Sequence, residues 1–307
     1  MSSFKDLRIV DNFYQTSAFF PMPTVLITTI DDEGNTTCGS YSLIQPYYVA
    51  GKDYYAMLLN TRNSSNTSQN LLKRGKCAIN FITDKKSYFK KAVRLGWPGD
   101  TSKEKMEKCS FTFEEGLMQK ENPSEVLPKV ITEAYQVFEC TWMSQLDNAQ
   151  DDQPGQMDGY EPPYHDFNGI TSKFGAHYIL RIDKILMKEK QYNGIINGVK
   201  GRDFPSVPVD YGYRDSKNFW YTRFRRPIPE LLPIRATTVD SVIYAANRID
   251  PNIQFTKEAC ELMVNVPRIF LPMALKACVS YAKDIGVTTI LPEHVTAVND
   301  KRKKEKL

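Results

Sequence analysis

The sequence predicts a mainly β protein with helices that ends in a small all-α module. Three observations carry this. Apolar, β-branched runs separated by turn residues fill the first third. A stretch dense in proline and aromatic residues spans 202–235. Helical periodicity with capping residues follows it.

The opening strand is Pro23-Thr-Val-Leu-Ile-Thr-Thr-Ile30, and Asp31-Asp-Glu-Gly34 is a hairpin signal. Thr36 to Leu43 returns as its partner. Tyr54 to Leu59 and Cys77 to Ile82 are further strands. Thr83 to Ser124 shows no clear period and reads as irregular. Val137 to Cys140 and Ala176 to Ile185 complete the strand set. Residues 144–169, rich in Asp, Gln, Pro and Gly, read as a surface excursion or lid loop. Pro205, Pro208, Pro227, Pro229 and Pro233 argue against a central strand or long helix in 202–235, which reads as a wrapping linker or strap. Beyond it, Thr256 caps a helix over Lys257 to Val264. Pro267 opens a longer helix with Phe270, Met273, Ala274, Ala277 and Tyr281 on one stripe, and Gly286 is placed to cap its end. Pro292-Glu293 starts a last short helix.

Composition excludes several classes. The chain has 307 residues, 41% hydrophobic and 25% charged, which suits a packed globular protein. The net charge is +4, and the tail from Lys301 to Leu307 supplies all of that excess. A neutral body argues against nucleic acid, which selects clustered basic charge. No apolar run is long enough to span a membrane, and the start lacks a signal-peptide pattern. The six cysteines are scattered without a CxxC pair, and only three histidines are available. Neither a metal site nor a disulfide framework is expected, and reduced thiols in a cytoplasmic protein are.

The segment that carries chemistry runs from Leu58 to Gly75. An apolar strand stops at Asn60, seven polar residues follow, and a short helix starts at Asn66 or Thr67. A helix start presents unpaired N–H groups and partial positive charge. Arg62 adds a forked cation, and Thr61, Ser64, Ser65 and Thr67 add hydroxyls. Together they suit a phosphate monoester of roughly −2 charge, although a capped helix after an ordinary polar loop accounts for the same residues. Upstream, Cys38-Gly-Ser-Tyr-Ser-Leu-Ile44 sets small residues at a strand end, where a flat ring can approach the backbone.

Taken in order, Pro21 to Thr29 with its turn, Ser40-Tyr-Ser42, Asn60 to Thr67 with Asn70-Leu71, Cys77 to Phe81, Pro128 to Ala134 and Phe138-Glu-Cys140 form one set. Over residues 10–190 this set resembles the flavin reductase-like FMN-binding split-barrel family. Cys38-Gly39 departs from the family's usual Asn-Val type of pair. The resemblance implies an FMN-binding split β-barrel over residues 1–201, usually a homodimer with FMN near the interface. It implies that Arg62, Ser64, Ser65, Asn66 and Thr67, with Thr61 beside them, hold the FMN phosphate. Ser40, Tyr41, Ser42 and Leu43 would line the ring, with Asn60 and Asn80 nearby. No acid or base transfers, so no catalytic residue is named, and no metal ligand either.

The implied activity is an oxidoreductase that passes electrons from NAD(P)H or another donor through FMN to a small-molecule or protein acceptor. The alternative is a non-enzymatic electron carrier or partner subunit, and a third reading is a barrel that has lost flavin. Residues 236–307, through Phe255 to Ala259, Val266 to Phe270 and Ala274 to Val295, resemble the small helical domain that ends a subunit of light-independent protochlorophyllide reductase. That likeness implies a module that docks a partner, caps the barrel or reaches the other subunit's flavin. The remaining candidates have structural readings. His177 reads as a hydrogen-bonded strand residue, with a proton donor near reduced flavin as the alternative, and His165 and His294 lack companion ligands. Trp220, Tyr221 and Phe224 with Arg223, Arg225 and Arg226 read as an aromatic strap, with stacking on a nucleotide base or nicotinamide as the alternative. Cys38 reads as a small buried residue, with a redox thiol near the ring site as the alternative.

Overall fold

The computed structural model describes residues 22–47, 55–96, 99–144, 168–197, 200–213, 219–223, 237–247, 249–250, 252–267 and 270–304. The chain divides into two compact units, Met1–Pro229 and Glu230–Leu307.

In the first unit the strands and helices run β1 (Met22–Pro23), β2 (Val25–Ile30), β3 (Thr36–Tyr41), β4 (Ile44–Tyr47), β5 (Ala56–Arg62), α1 (Asn66–Arg74), β6 (Lys76–Phe81), α2 (Lys86–Leu95), α3 (Ser102–Lys108), β7 (Phe113–Glu114), α4 (Leu117–Glu121), β8 (Val130–Ile131), β9 (Gln136–Trp142), β10 (Gly169–Ile170), β11 (Gly175–Met187), α5 (Glu189–Asn197), β12 (Val209–Tyr213) and β13 (Phe219–Thr222). The main sheet has the order β3-β2-β6-β9-β11-β5-β4, with β10 also on β11, and each of these pairs is antiparallel. It curls into a half-open barrel, a split barrel.

Alternation along the strands explains why they read as continuous apolar runs. Val25, Ile27, Met57, Leu59, Ile79 and Tyr178 enter one core, which Leu71 of α1 closes. Leu26, Ala78 and Val137 enter another, against Ala92 and Leu95 of α2. Both faces are covered, so neither alternate set is polar. Each fully buried Leu or Ile contributes about 1.5–3 kcal/mol. The β2–β3 hairpin is held at its turn by Asp31 Oδ1, which accepts from the amides of Glu33 (3.1 Å) and Asn35 (2.8 Å). Gly34 there has φ +82°, a conformation that glycine adopts without strain.

Two readings change. The segment from Thr83 to Ser124 is not irregular, since it holds α2, α3 and α4. Helix α2 buries Phe89, Ala92 and Leu95. Helix α3 begins in a capping box, in which the Thr101 amide donates to Glu104 Oε2 (2.7 Å) and the Glu104 amide to Thr101 Oγ1 (3.3 Å). The segment 202–235 is also not a plain linker. Strands β12 and β13 pair antiparallel and add β1 to make a separate three-stranded sheet. Its prolines fall outside both strands, as their missing N–H requires. Tyr221 stacks on Phe89 at 3.7 Å between centroids, and Arg223 Nε donates to Asp84 O (3.0 Å). Residues 145–167 of the predicted lid loop lie outside the described residues, as do His165, Phe224, Arg225, Arg226 and the side chain of Trp220.

In the second unit, α6 (Val239–Ala246), β14 (Gln254–Phe255), α7 (Lys257–Glu261), α8 (Leu271–Asp284), β15 (Thr289–Ile290) and α9 (Pro292–Lys304) enclose their own core. Thr256 caps α7 by accepting from the Ala259 amide (3.2 Å). Strands β14 and β15 pair in parallel. The core face of α8 is Leu271, Leu275, Cys278, Val279 and Ala282. The stripe expected from sequence is displaced from it, with Phe270 and Met273 exposed.

Candidate functional site

Strand β5 ends at Arg62, and a short loop turns the chain into α1. Ser65 is the N-cap, extended at φ −72° and ψ 148°, and its Oγ accepts from the Ser68 amide (3.1 Å). The Ser65 amide donates to Arg62 O (3.0 Å) and Ser65 O accepts from Gln69 (3.0 Å). This leaves the amides of Asn66 and Thr67 as the helix-start donors without intrahelical acceptors. The first turn of α1 holds no acidic residue, and its last turn holds Lys73 and Arg74. The positive end of the helix dipole is therefore not neutralised by its own side chains.

The flanking side chains are held in place. Thr61 Oγ1 is 3.0 Å from Ser65 Oγ, and Asn66 Nδ2 donates to Asp100 O (3.0 Å). Asn63 straps the loop to the turn before β11, its amide donating to Phe174 O (3.2 Å) and its Nδ2 to Lys173 O (2.7 Å). Ser64 and Arg62 are exposed, and among the described residues the Arg62 guanidinium has no carboxylate or hydrogen-bond partner. Asn63 was not singled out from sequence, because its partners lie far along the chain.

Strand β3 reaches the same helix start. Glycine at 39 lets the Tyr41 ring fold back along the strand. A Cβ there would stand 2.9 Å from Tyr41 Cε2 and 3.2 Å from Thr67 Oγ1. Thr67 is buried. The departure of Cys38-Gly39 from the family pattern thus has a physical reason here. Ser40 sits on the opposite face from Tyr41, as alternation requires, and pairs with Leu26. The two side chains therefore cannot line one surface together. Ser42 is half-buried and Leu43 exposed, and Leu43 O accepts from the Asn60 amide (2.9 Å). Asn60 stands opposite His177 across β5 and β11. Burial holds the His177 imidazole below its usual pKa.

Asn80 is separate. It is fully buried, donates to Ala78 O (3.0 Å) and Leu26 O (3.1 Å), and accepts from the Ile131 amide (2.8 Å). Its side chain pins β8 to the barrel, with its main donor and acceptor contacts made to backbone groups. The structure thus brings Tyr41, Thr61, Arg62, Ser64, Ser65, Asn66 and Thr67 together, puts Leu43 beside Asn60, and leaves Asn80 out.

A cavity of about 920 Å³ lies elsewhere, between the β2–β3 turn, α3 and residues 113–129. Among the described residues there is no cluster of three or more His, Cys, Asp or Glu able to hold a metal ion, and no helix long and apolar enough to cross a membrane.

The sheet order and the covered faces define a split-barrel protein. No family model matches the chain, and no curated protein does. Solved structures do. The 2-nitrobenzoate 2-nitroreductase NbaA of Pseudomonas fluorescens is similar with a TM-score of 0.50 and 17% identity, over 76% of this chain and 98% of that one. Nitrilotriacetate monooxygenase component B of Bacillus cereus gives 0.49 and 14%, over 75% and 100%. A flavin reductase with a split barrel domain, assigned as such in Shewanella frigidimarina, gives 0.47 and 14%, over 75% and 100%. At these identities the first likeness establishes a shared fold.

Proposed function

We propose that the barrel binds FMN and acts as an FMN-dependent oxidoreductase. The observation that carries this is the start of α1. Two amides without intrahelical acceptors and an unopposed helix dipole meet there, and Arg62, with its guanidinium unpaired among the described residues, lies three residues before the N-cap. A dianionic phosphate satisfies all three. Arg62, Ser64, Ser65, Asn66 and Thr67 would hold it. Thr61 orients Ser65, while the backbone of Ser42 and Leu43 and the ring of Tyr41 offer a surface to the isoalloxazine. When bound, FMN supplies the redox chemistry, accepting hydride and passing electrons on. The protein's own groups bind and orient it.

The nitroreductase that shares the fold is an oxidoreductase by name, in keeping with this reading. Leu43 and Phe174 are 49% and 75% exposed beside the group, and a second copy of the chain would cover them. NADH or NADPH is the proposed donor. A carrier role is the second reading, favoured by exposed Phe270 and Met273 on α8, a face suited to a protein partner.

Consumption of NADH or NADPH by catalytic amounts of the full chain, with FMN in excess, separates the two. Continuous turnover supports the enzyme. Reduction that stops at one equivalent of FMN per chain supports the carrier, and absence of any FMN binding removes both.

A further inference from the structure

We propose that the cavity between the β2–β3 turn, α3 and residues 113–129 binds an aliphatic polyamine, a methylene chain that carries several ammonium charges. The observations are independent of the flavin reading.

Each wall of the cavity is fixed by the protein's own hydrogen bonds. The Asp31 carboxylate holds the turn, and a capping box starts α3. The third wall, 113–129, is tied at both ends and in the middle. Phe113 and Glu114 pair with Ile131 and Val130. The amides of Leu117 and Met118 donate to Glu139, which is buried. Gln119 Nε2 donates to Glu125 O (2.8 Å), and its Oε1 accepts from the Leu127 amide (3.0 Å). The Lys129 amide donates to Thr36 Oγ1 (3.1 Å), and Lys129 O accepts from Thr28 Oγ1 (2.8 Å). A space of about 920 Å³ with such walls is preformed and falls in the size range of small-molecule sites.

The lining has two characters. Five acidic residues line it from all three walls: Asp31 and Glu33 on the turn, Glu107 on α3, and Glu115 and Glu125 on the third wall. Only two lysines, Lys103 and Lys129, stand among them. None of these charged residues forms an ion pair among the described residues. The cavity therefore keeps an excess of negative charge. The rest of the lining is partly apolar. Ile30 and Leu127 are buried there, Met106 and Phe113 half-buried, and Val126 is 61% exposed.

Carboxylates alone would make a solvated acidic face. The concavity and its apolar lining select the ligand. A hard divalent cation keeps most of its waters and asks for several oxygens at one point, so it gains nothing from Met106, Phe113 or Val126. Among the described residues, no three His, Cys, Asp or Glu are grouped to hold a metal ion. A monoamine answers one carboxylate and leaves the others. A polyamine spaces its ammonium groups along methylenes. Its charges meet carboxylates on different walls, and its methylenes lie on the apolar lining between them.

The magnitudes make the interaction a collective one. An exposed ammonium–carboxylate pair changes affinity by only about two- to fivefold. Binding therefore needs several pairs at once and weakens as salt screens them. Glu107, Glu115 and Glu125 are exposed. None of the three bears on the hydrogen bonds that fix the walls through its side chain, so their carboxylates can be neutralised without unfolding the cavity.

The test is a calorimetric titration of the full chain with spermidine at low ionic strength. The expected result is saturation at about one per chain. Affinity should fall at least about tenfold in the combined Glu107→Gln, Glu115→Gln and Glu125→Gln variant, whose thermal melt shows that it folds. Val126→Ser should weaken spermidine and leave any binding of magnesium ion, the probe for charge without methylenes, unchanged. Absence of saturable spermidine binding, equal affinity in the folded triple variant, or magnesium binding as tight as spermidine would overturn the proposal.

Discussion

The Tyr178 hydroxyl lies 2.6 Å from Ser68 Oγ, so β11 is tied to the first turn of α1 across the barrel interior. The same hydroxyl reaches Ser68 O at 3.2 Å. The helix whose start forms the candidate site is thus anchored from inside the barrel. Tyr178→Phe strands a buried hydroxyl and should cost about 1–3 kcal/mol. The urea midpoint should fall with an unchanged slope.

Asn80 serves the fold. Asn80→Ala leaves the Ile131 amide without its partner inside the core. The expected loss is about 1–3 kcal/mol from one unsatisfied backbone group, with a small cavity added to it. FMN affinity of the remaining folded protein should not change, and a parallel FMN titration and denaturation curve checks both.

Glu139 gives a pH dependence. Its carboxylate is buried and accepts from the amides of Leu117 and Met118 at the start of α4. Burial raises its pKa above 4.5, outweighing those two hydrogen bonds. The folded chain therefore holds this proton more tightly than the unfolded one. The stability it contributes is complete below pH 4.5 and is lost as pH rises through the raised value. Wild type should lose stability relative to Glu139→Gln over that rise, as thermal melts at a series of pH values will show. Gly116→Ala, whose Cβ would fall 2.0 Å from Glu139 Oε1, should destabilise at every pH.

Arg62 is exposed and has no described partner, so Arg62→Ala should leave the melting temperature unchanged. It should weaken FMN by about 1.5–3 kcal/mol, the loss expected for a charge-assisted hydrogen bond. Equal FMN affinity of the two proteins would remove Arg62 from the phosphate group.

The barrel strands were legible because burial on both faces leaves long β-branched runs, as in Val25–Ile30. Helix α1 was legible because Ser65 caps it and Gly75 ends it at φ +65°. The helices between Thr83 and Ser124 were passed over although Thr101 and Glu104 hold a capping-box spacing. They are short, and tertiary packing of α2 decides more than local periodicity. In α8 both candidate stripes are apolar, so the period does not choose between them. Asn80 stands near the ring only by family resemblance, and a polar residue in an apolar strand looks the same in sequence whether it bonds a ligand or a backbone. The nearness of Asn63 to Lys173 comes from chain topology, and no local spacing encodes it.

The central claim is that the start of α1 holds the phosphate of a flavin. Parallel titrations of the full chain with FMN and with riboflavin, which lacks the phosphate, test it most directly. The account predicts saturable FMN binding at about one per chain and riboflavin binding at least tenfold weaker, about 1.4 kcal/mol, from losing a charge-assisted contact. Equal affinities, or no saturable binding of FMN, would contradict it.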